Sequence, residues 1–81
     1  MAKTVLVTGA SSGIGYETVK VFQRNGWNVA ATMRSPEKST DLANLLNVRC
    51  LRLDVTDATS IQTAIDSALQ EFGTIDALVN N

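Results

Sequence analysis

The sequence predicts an α/β fold, a doubly wound parallel sheet of four strands in the order 3-2-1-4 with three helices on its faces. Short apolar runs alternate with longer segments in which apolar residues recur at helical spacing. The first short run is continuously apolar and rich in β-branched residues, which indicates a strand covered on both faces. Gly9, Gly26 and Gly73 stand where one kind of segment gives way to the next.

The first strand, the first helix and the second strand are predicted from the first 33 residues. Residues 4–8 form the strand, and Gly9 breaks it. A helix is predicted over residues 13–25, with Gly26 as its C-terminal stop. The second strand covers residues 29–33. The apolar spacing of the helix predicts an inner stripe of Ile14, Thr18, Val21 and Phe22.

The middle of the chain predicts a second helix and a third strand. Ser35 is suited to cap a helix, and Pro36 is suited to its first position. The third strand is predicted near residues 49–53. The apolar stripe of the second helix is short and consists of Leu42, Leu45 and Leu46.

The last third predicts the third helix and the start of a fourth strand. Either Thr56 or Asp57 can cap this helix, and Gly73 ends it. Residues 77–79 begin the fourth strand. The predicted arrangement of four strands and three helices is half of the usual six-stranded Rossmann-type fold. The helix carries the strongest periodic pattern in the chain, formed by Ile61, Ala64, Ile65, Ala68, Leu69 and Phe72.

Composition limits the partners and the chemistry. The 81 residues fit one small domain, and the net charge of −1 gives no reason to expect a nucleic-acid or membrane partner. There is no histidine, and Cys50 is the only cysteine, so a disulfide within the chain and a cysteine-based metal cluster are excluded. No apolar run reaches the roughly 18 residues of a membrane span. We therefore expect a cytoplasmic location and no metal site.

A glycine-rich turn between the first strand and the first helix is the main candidate site. Gly9, Gly13 and Gly15 follow a Gly-x-x-x-Gly-x-Gly pattern, and Ser11 and Ser12 add hydroxyl groups. A pyrophosphate needs backbone N–H donors at close range, and a helix N-terminus supplies them where side chains do not block the approach. The alternative is a strand-to-helix turn of the same composition without a ligand.

Three segments together resemble the classical short-chain dehydrogenases/reductases. They are residues 8–15 (TGASSGIG), 53–56 (LDVT) and 77–81 (ALVNN), and the resemblance covers the whole chain. It implies that Asp54 and Val55 contact adenine and that Asn81 contacts the nicotinamide-side ribose through its backbone. Asp54 has an alternative role as a turn or capping residue. The residues implied to bind the pyrophosphate and adjacent ribose are Gly9, Ser11, Ser12, Gly13, Ile14 and Gly15.

The end of the second strand predicts which nicotinamide cofactor is preferred. An NAD site usually has an acidic residue there, which accepts a hydrogen bond from the ribose 2′-hydroxyl. Here Met33 occupies that position and Arg34 follows it. Because a guanidinium can pair with a phosphate through two hydrogen bonds, we expect NADP(H) to be preferred over NAD, with Arg34 on the 2′-phosphate. The alternative is a solvated surface arginine.

Tyr16 and Lys20 have the spacing of the family's catalytic tyrosine and lysine but the wrong position. They begin the first helix, directly after the glycine turn, whereas the resemblance implies a catalytic half beyond the fourth strand. We therefore expect no catalytic residue in this chain. Tyr16 and Lys20 are interpreted as a pair on the helix surface.

The resemblance implies that residues 1–81 are the N-terminal NADP(H)-binding portion of an oxidoreductase. The parent would transfer hydride between the cofactor and a carbonyl or alcohol, and this chain alone is expected to be inactive. Two alternatives remain: a nucleotide-binding module that needs a second chain, and a structural α/β module without a nucleotide. An open strand edge at residues 76–80, or a bare sheet face, is expected to cause self-association.

Overall fold

The computed structural model describes residues 2–81 and contains one four-stranded sheet in the order β3-β2-β1-β4. All three strand pairs are parallel, with Val5 opposite Val29 on one side and opposite Ala77 on the other. The predicted fold class and strand order are therefore confirmed. The strands are β1 (Thr4–Val7), β2 (Asn28–Met33), β3 (Val48–Arg52) and β4 (Ala77–Val79).

The helices are α1 (Gly13–Arg24), α2 (Thr40–Ala43) and α3 (Ala58–Phe72). The predicted start of the second helix is wrong, because Pro36–Lys38 form a separate 3₁₀ turn before α2. Leu42 is fully buried and anchors the single turn of α2. Two of the leucines assigned to its stripe lie beyond the helix, and the side chain of the last is 76% exposed.

The inner face of α1 differs from the predicted stripe. Gly15 and Val19 are the buried residues of this helix, whereas Ile14 is 77% exposed and Val21 is 46% exposed. The reason is a close approach to the glycine turn, because a Cβ atom on Gly15 would lie 2.2 Å from the carbonyl oxygen of Gly9. The helix turns Gly15 inward there, so Ile14 and Val21 of the predicted stripe face outward, whereas Phe22 packs against the core as predicted.

Both ends of α3 follow the sequence. Asp57 is the N-cap, and its carboxylate accepts hydrogen bonds from the backbone N–H groups of Thr59 and Ser60. Gly73 is the C-cap in the left-handed conformation (φ 83°), and its N–H donates to the Leu69 carbonyl. Of the predicted inner stripe, the two alanines are buried, while Leu69 is 42% exposed.

The sheet separates two apolar layers. Helices α1 and α2 cover one face, on which Val5, Val7, Val29 and Ala31 are fully buried. Helix α3 covers part of the other face, around Leu6, Ala30 and Ala68, but leaves Leu78 of β4 65% exposed. Because all strands are parallel, their carboxyl ends meet at one edge of the sheet, where the glycine turn also lies. Among residues 2–81, no helix is long and apolar enough to cross a membrane.

Candidate functional site

The glycine turn after β1 adopts backbone conformations that favour glycine. Gly9 has φ +62° and Gly13 has φ +59°, both in the left-handed region. A Cβ atom on Gly13 would meet nothing within 4 Å, so the space above this residue is open. Gly15 has the opposite surroundings, because backbone atoms of Gly9 leave no room for a side chain. The turn is therefore closed on its inner side and open on its outer side.

The open side of the turn presents free backbone donors. Within residues 2–81, none of the N–H groups of residues 11–15 donates a hydrogen bond, and the first donor of α1 is the N–H of Tyr16, which bonds to the Ser12 carbonyl. The Ser12 side chain is at the N-cap but makes no capping hydrogen bond. Unpaired amides at the start of a 12-residue helix, with its positive dipole end, attract an anion.

Asn81 holds the turn from the far end of β4. Its backbone N–H donates to Thr8 Oγ1 at 2.9 Å, and its side-chain Nδ2 donates to the Gly9 carbonyl at 3.2 Å. Thr8 Oγ1 in turn donates to Asn80 Oδ1 at 3.1 Å. The structure thus shows Asn81 supporting the glycine turn, a contact that the sequence did not predict. Its predicted contact with a ribose stays a prediction.

A depression of about 420 Å³ opens at the carboxyl ends of the strands. Five of the ten predicted site residues line it, and none of its lining residues carries a carboxylate. Ser12, Gly13, Ile14 and Gly15 lie beside it, along the turn and the first turn of α1. The lining residues are Thr8, Gly9, Ser11, Met33, Arg34, Ser35, Lys38, Leu53, Val55 and Asn81.

Asp54 lies next to this depression but does not line it. Its Oδ1 accepts hydrogen bonds from the Thr56 hydroxyl at 2.7 Å and the Thr56 N–H at 3.0 Å. These two bonds, followed by the positive charges of Arg34 and Arg52, hold the pKa of Asp54 below its ordinary value. The carboxylate therefore closes a turn, the alternative role, and this turn places Val55 on the wall of the depression.

Sequence reasoning missed five lining residues: Thr8, Met33 as a wall residue, Ser35, Lys38 and Leu53. Four of them come directly before or after predicted site residues, so their position at strand ends was a usable signal. Lys38 is different, because it is brought back to the depression by the 3₁₀ turn. In addition, no group of three or more potential metal ligands occurs in the described part of the chain.

Tyr16 and Lys20 form the expected surface pair. The Tyr16 hydroxyl donates to Asp41 Oδ2, and Lys20 Nζ lies 5.3 Å from the centre of the Tyr16 ring. The hydrogen bond to Asp41 raises the pKa of Tyr16 above its ordinary value. A tyrosine that acts as a proton donor and acceptor near neutral pH needs the opposite shift. The Tyr16–Asp41 hydrogen bond instead links α1 to α2.

A second depression, of about 700 Å³, lies on the flank of α1. Its walls are mainly apolar, and it contains no lysine or arginine side chain. The residues that line it are Gly13, Ile14, Tyr16, Glu17, Thr18, Val21 and Phe22.

One known protein family matches almost the whole chain. The model of the short chain dehydrogenase family matches residues 3–81. The chain belongs to this family. The match includes the glycine turn, the segment after β3 and the end of β4, which are the three segments that carry the sequence resemblance.

Individual relatives of this short-chain dehydrogenase chain are longer proteins. An uncharacterized oxidoreductase of Schizosaccharomyces pombe is 46% identical over 79 residues, which are 96% of this chain and 26% of the relative. Mouse peroxisomal 2,4-dienoyl-CoA reductase is 40% identical over 84 residues, 96% of this chain and 29% of the relative. The chain thus spans less than a third of the length of these two relatives.

Solved structures of the same kind superpose on the whole chain. Menthone neomenthol reductase from Mentha piperita has a TM-score of 0.90 at 30% identity, covering 100% of this chain and 31% of its own. ElxO with NADP bound has a TM-score of 0.87 at 36% identity, and the match covers 100% of this chain and 35% of ElxO. An actinorhodin polyketide ketoreductase with NADPH has a TM-score of 0.90 at 30% identity, and the match covers 99% of this chain and 33% of the ketoreductase.

Proposed function

We propose that residues 1–81 form the N-terminal, NADP(H)-binding portion of an oxidoreductase that transfers hydride between the cofactor and a carbonyl or alcohol substrate. The observation that carries the proposal is Arg34, which lines a depression without carboxylates at the carboxyl end of β2. Family membership supports hydride transfer, and two structural relatives hold NADP or NADPH.

The residues at the turn fit a dinucleotide. The free amides of residues 11–15 would hold the pyrophosphate, whose negative charge is complementary to the helix dipole. The open space above Gly13 leaves room for the phosphate oxygens. Val55 would pack against adenine, with Asp54 close to its polar edge. When bound, the cofactor supplies the hydride, and this part of the chain positions it.

The end of β2 fits a 2′-phosphate better than a free 2′-hydroxyl. Met33 is 3% exposed and offers no acceptor for a hydroxyl group. The exposed Arg34 has no ion-pair partner within residues 2–81. Its guanidinium is therefore available to a phosphate that enters the depression, and two parallel hydrogen bonds can form.

The test is a calorimetric titration of the wild type and Arg34→Ala with NADP⁺ and with NAD⁺. We expect the wild type to bind NADP⁺ at least about tenfold more tightly, and Arg34→Ala to lose most of that preference, because a charge-assisted bond contributes ~1.5–3 kcal/mol. Arg24→Ala is the matched control, since Arg24 lies at the other end of α1. Equal affinities of the wild type for both cofactors would contradict the proposal.

We expect no turnover from this chain alone. The only Tyr-x-x-x-Lys pair in the sequence begins α1, and its tyrosine hydroxyl is bonded to Asp41. The catalytic half would therefore come from sequence outside residues 1–81. If Tyr16→Phe in the whole enzyme abolished turnover while leaving cofactor affinity intact, this assignment would be wrong.

The exposed side of β4 supports the proposed self-association of the isolated chain. In the described sheet, β4 pairs only with β1, and its Leu78 is 65% exposed. An unpaired strand edge and an exposed leucine favour contact with a second copy. Light scattering should show oligomers of the wild type and a smaller fraction of oligomers for Leu78→Lys. A monomeric wild type at high concentration would refute the proposal.

A further inference from the structure

We propose that Lys38 is a second cation for the cofactor's 2′-phosphate and that, together with Arg34, it determines the preference for NADP(H). This inference rests on the function proposed above. Lys38 and Arg34 line the same depression of about 420 Å³, and Ser35 lies between them on its wall.

The 3₁₀ turn brings Lys38 to this position. The Lys38 N–H donates to the Ser35 carbonyl at 3.1 Å, and the Ser39 N–H donates to the Pro36 carbonyl at 3.0 Å. In a 3₁₀ turn, side chains three residues apart lie above one another. Lys38 is therefore placed over Ser35 and close to the end of β2, although three residues separate it from Arg34.

Buried residues on both sides fix the turn. Before it, Met33 is 3% exposed; after it, Ser39 is 5% exposed and Leu42 is fully buried. The Ser39 carbonyl also accepts a weak hydrogen bond from Cys50 Sγ at 3.9 Å, which ties the segment to β3. The backbone of Lys38 is thus anchored, and its exposed side chain can reach into the depression.

Electrostatics at this edge of the sheet favour a dianion. Lys38 and Arg34 make no ion pair with another described residue, 2–81. Glu37, the acidic residue of the same turn, does not line the depression. Asp54 is near enough for the positive charge of Arg34 to help lower its pKa, but its carboxylate does not line the depression either. Two positive charges without an opposing carboxylate on the wall form a site for a phosphate rather than for a hydroxyl group.

The two cations differ in what they can do. The Arg34 guanidinium is planar and can form two parallel hydrogen bonds to one phosphate. The Lys38 ammonium is a compact charge on a flexible stem, and Ser35, which also lines the depression, carries a hydroxyl donor. We therefore expect Lys38 to contribute through its charge, so that arginine can replace it in part but glutamine cannot.

The test compares two nucleotides that differ only in the 2′-phosphate: adenosine 2′,5′-bisphosphate and 5′-AMP. Calorimetric titration of Lys38→Gln should show about tenfold weaker binding of the bisphosphate, as expected for the loss of one charge-assisted bond. Binding of 5′-AMP should stay within about twofold, because its single phosphate lies at the glycine turn. Lys38→Arg should recover most of the affinity for the bisphosphate.

Lys3→Gln is the matched control, because it removes a lysine charge near Trp27, outside the depression. It should change neither affinity. If the wild type prefers the bisphosphate and Arg34→Gln abolishes the preference while Lys38→Gln does not, the inference about Lys38 is wrong and the proposed function stands. If Lys38→Gln weakens the binding of both nucleotides equally, Lys38 does not contact the 2′-phosphate and the inference is wrong. If the wild type does not distinguish the nucleotides, both the proposed function and the inference fail.

Discussion

Two depressions of the structure differ in size and in chemistry. The one on the helix flank measures about 700 Å³ and is mainly apolar. The one at the carboxyl ends of the strands measures about 420 Å³ and contains Arg34 and Lys38, with the free amides of residues 11–15 beside it. The smaller depression is the better candidate for an anionic ligand.

Volume alone therefore does not locate a site in this fold. An apolar hollow on a helix flank is suited to contact with other protein elements, because it offers area but few directional groups. Unpaired donors and cations that make no ion pair instead specify the ligand chemistry. The two regions should therefore respond differently to substitution, since only the smaller depression is proposed to bind a nucleotide.

Gly15→Ala should have the largest effect. Helix propensity alone predicts a gain of about 1 kcal/mol, but the new Cβ would lie 2.2 Å from the Gly9 carbonyl oxygen. Because backbone atoms cannot move aside cheaply, we expect a net loss of about 2 kcal/mol or more in the free energy of unfolding. Urea denaturation measures this loss, and nucleotide titration should show weaker binding.

Gly26→Ala serves as the comparison for Gly15→Ala. Gly26 has φ +85° but no atom within 4 Å of a built Cβ, so only the left-handed conformation opposes the substitution. We expect a loss of about 1 kcal/mol and an unchanged nucleotide affinity. If Gly15→Ala stabilised the protein, α1 would be able to move away from the turn. The close approach to Gly9 would then not be what requires glycine at position 15.

Val21→Ser tests the apolar side of the comparison. Val21 is 46% exposed on the flank of α1 and lies far along the helix from the glycine turn. The free energy of unfolding should change by no more than about 0.5 kcal/mol, as is usual for exposed positions. Nucleotide affinity should be the same as in the wild type by calorimetry. A clear loss of affinity would assign the larger depression to the ligand.

The Asp54–Thr56 turn should give the smallest effect, visible as a pH dependence. The folded state holds the pKa of Asp54 below its ordinary value of 3.8, so the charged carboxylate stabilises the fold above that value. This contribution is lost as the pH falls through the lowered pKa. The difference in urea midpoint between wild type and Asp54→Asn should therefore shrink as the pH is lowered below 3.8. A difference independent of pH would exclude a role for the charge.

Much of the fold follows from the sequence because strong local signals agree with it. The Asp57 cap, the apolar spacing of α3 and the Gly73 stop all act within a few residues, and the structure contains each of them. The face of α1 could not be predicted in this way. Hydrophobic spacing favoured Ile14 and Val21, but contact with the turn places Gly15 inside, and glycine carries no hydrophobic signal.

The candidate site was predicted only where a motif marks it in the sequence. The glycine turn and Arg34 were found because their residue types suit phosphate groups at strand ends. Lys38 was missed because its position depends on a 3₁₀ turn where a continuous helix was expected. The support given by Asn81 was also missed, because its partner Gly9 is 72 residues away in sequence.

The hydrogen bonds from Asn81 to Thr8 and Gly9 have a consequence for biosynthesis. They join residues more than 70 positions apart, so the loop that separates them must be closed before the bonds can form. A growing polypeptide on the ribosome therefore cannot complete the glycine turn when that turn emerges from the exit tunnel. The turn acquires its final shape only after residue 81 has been added and β4 has docked beside β1, so the turn is completed together with the sheet.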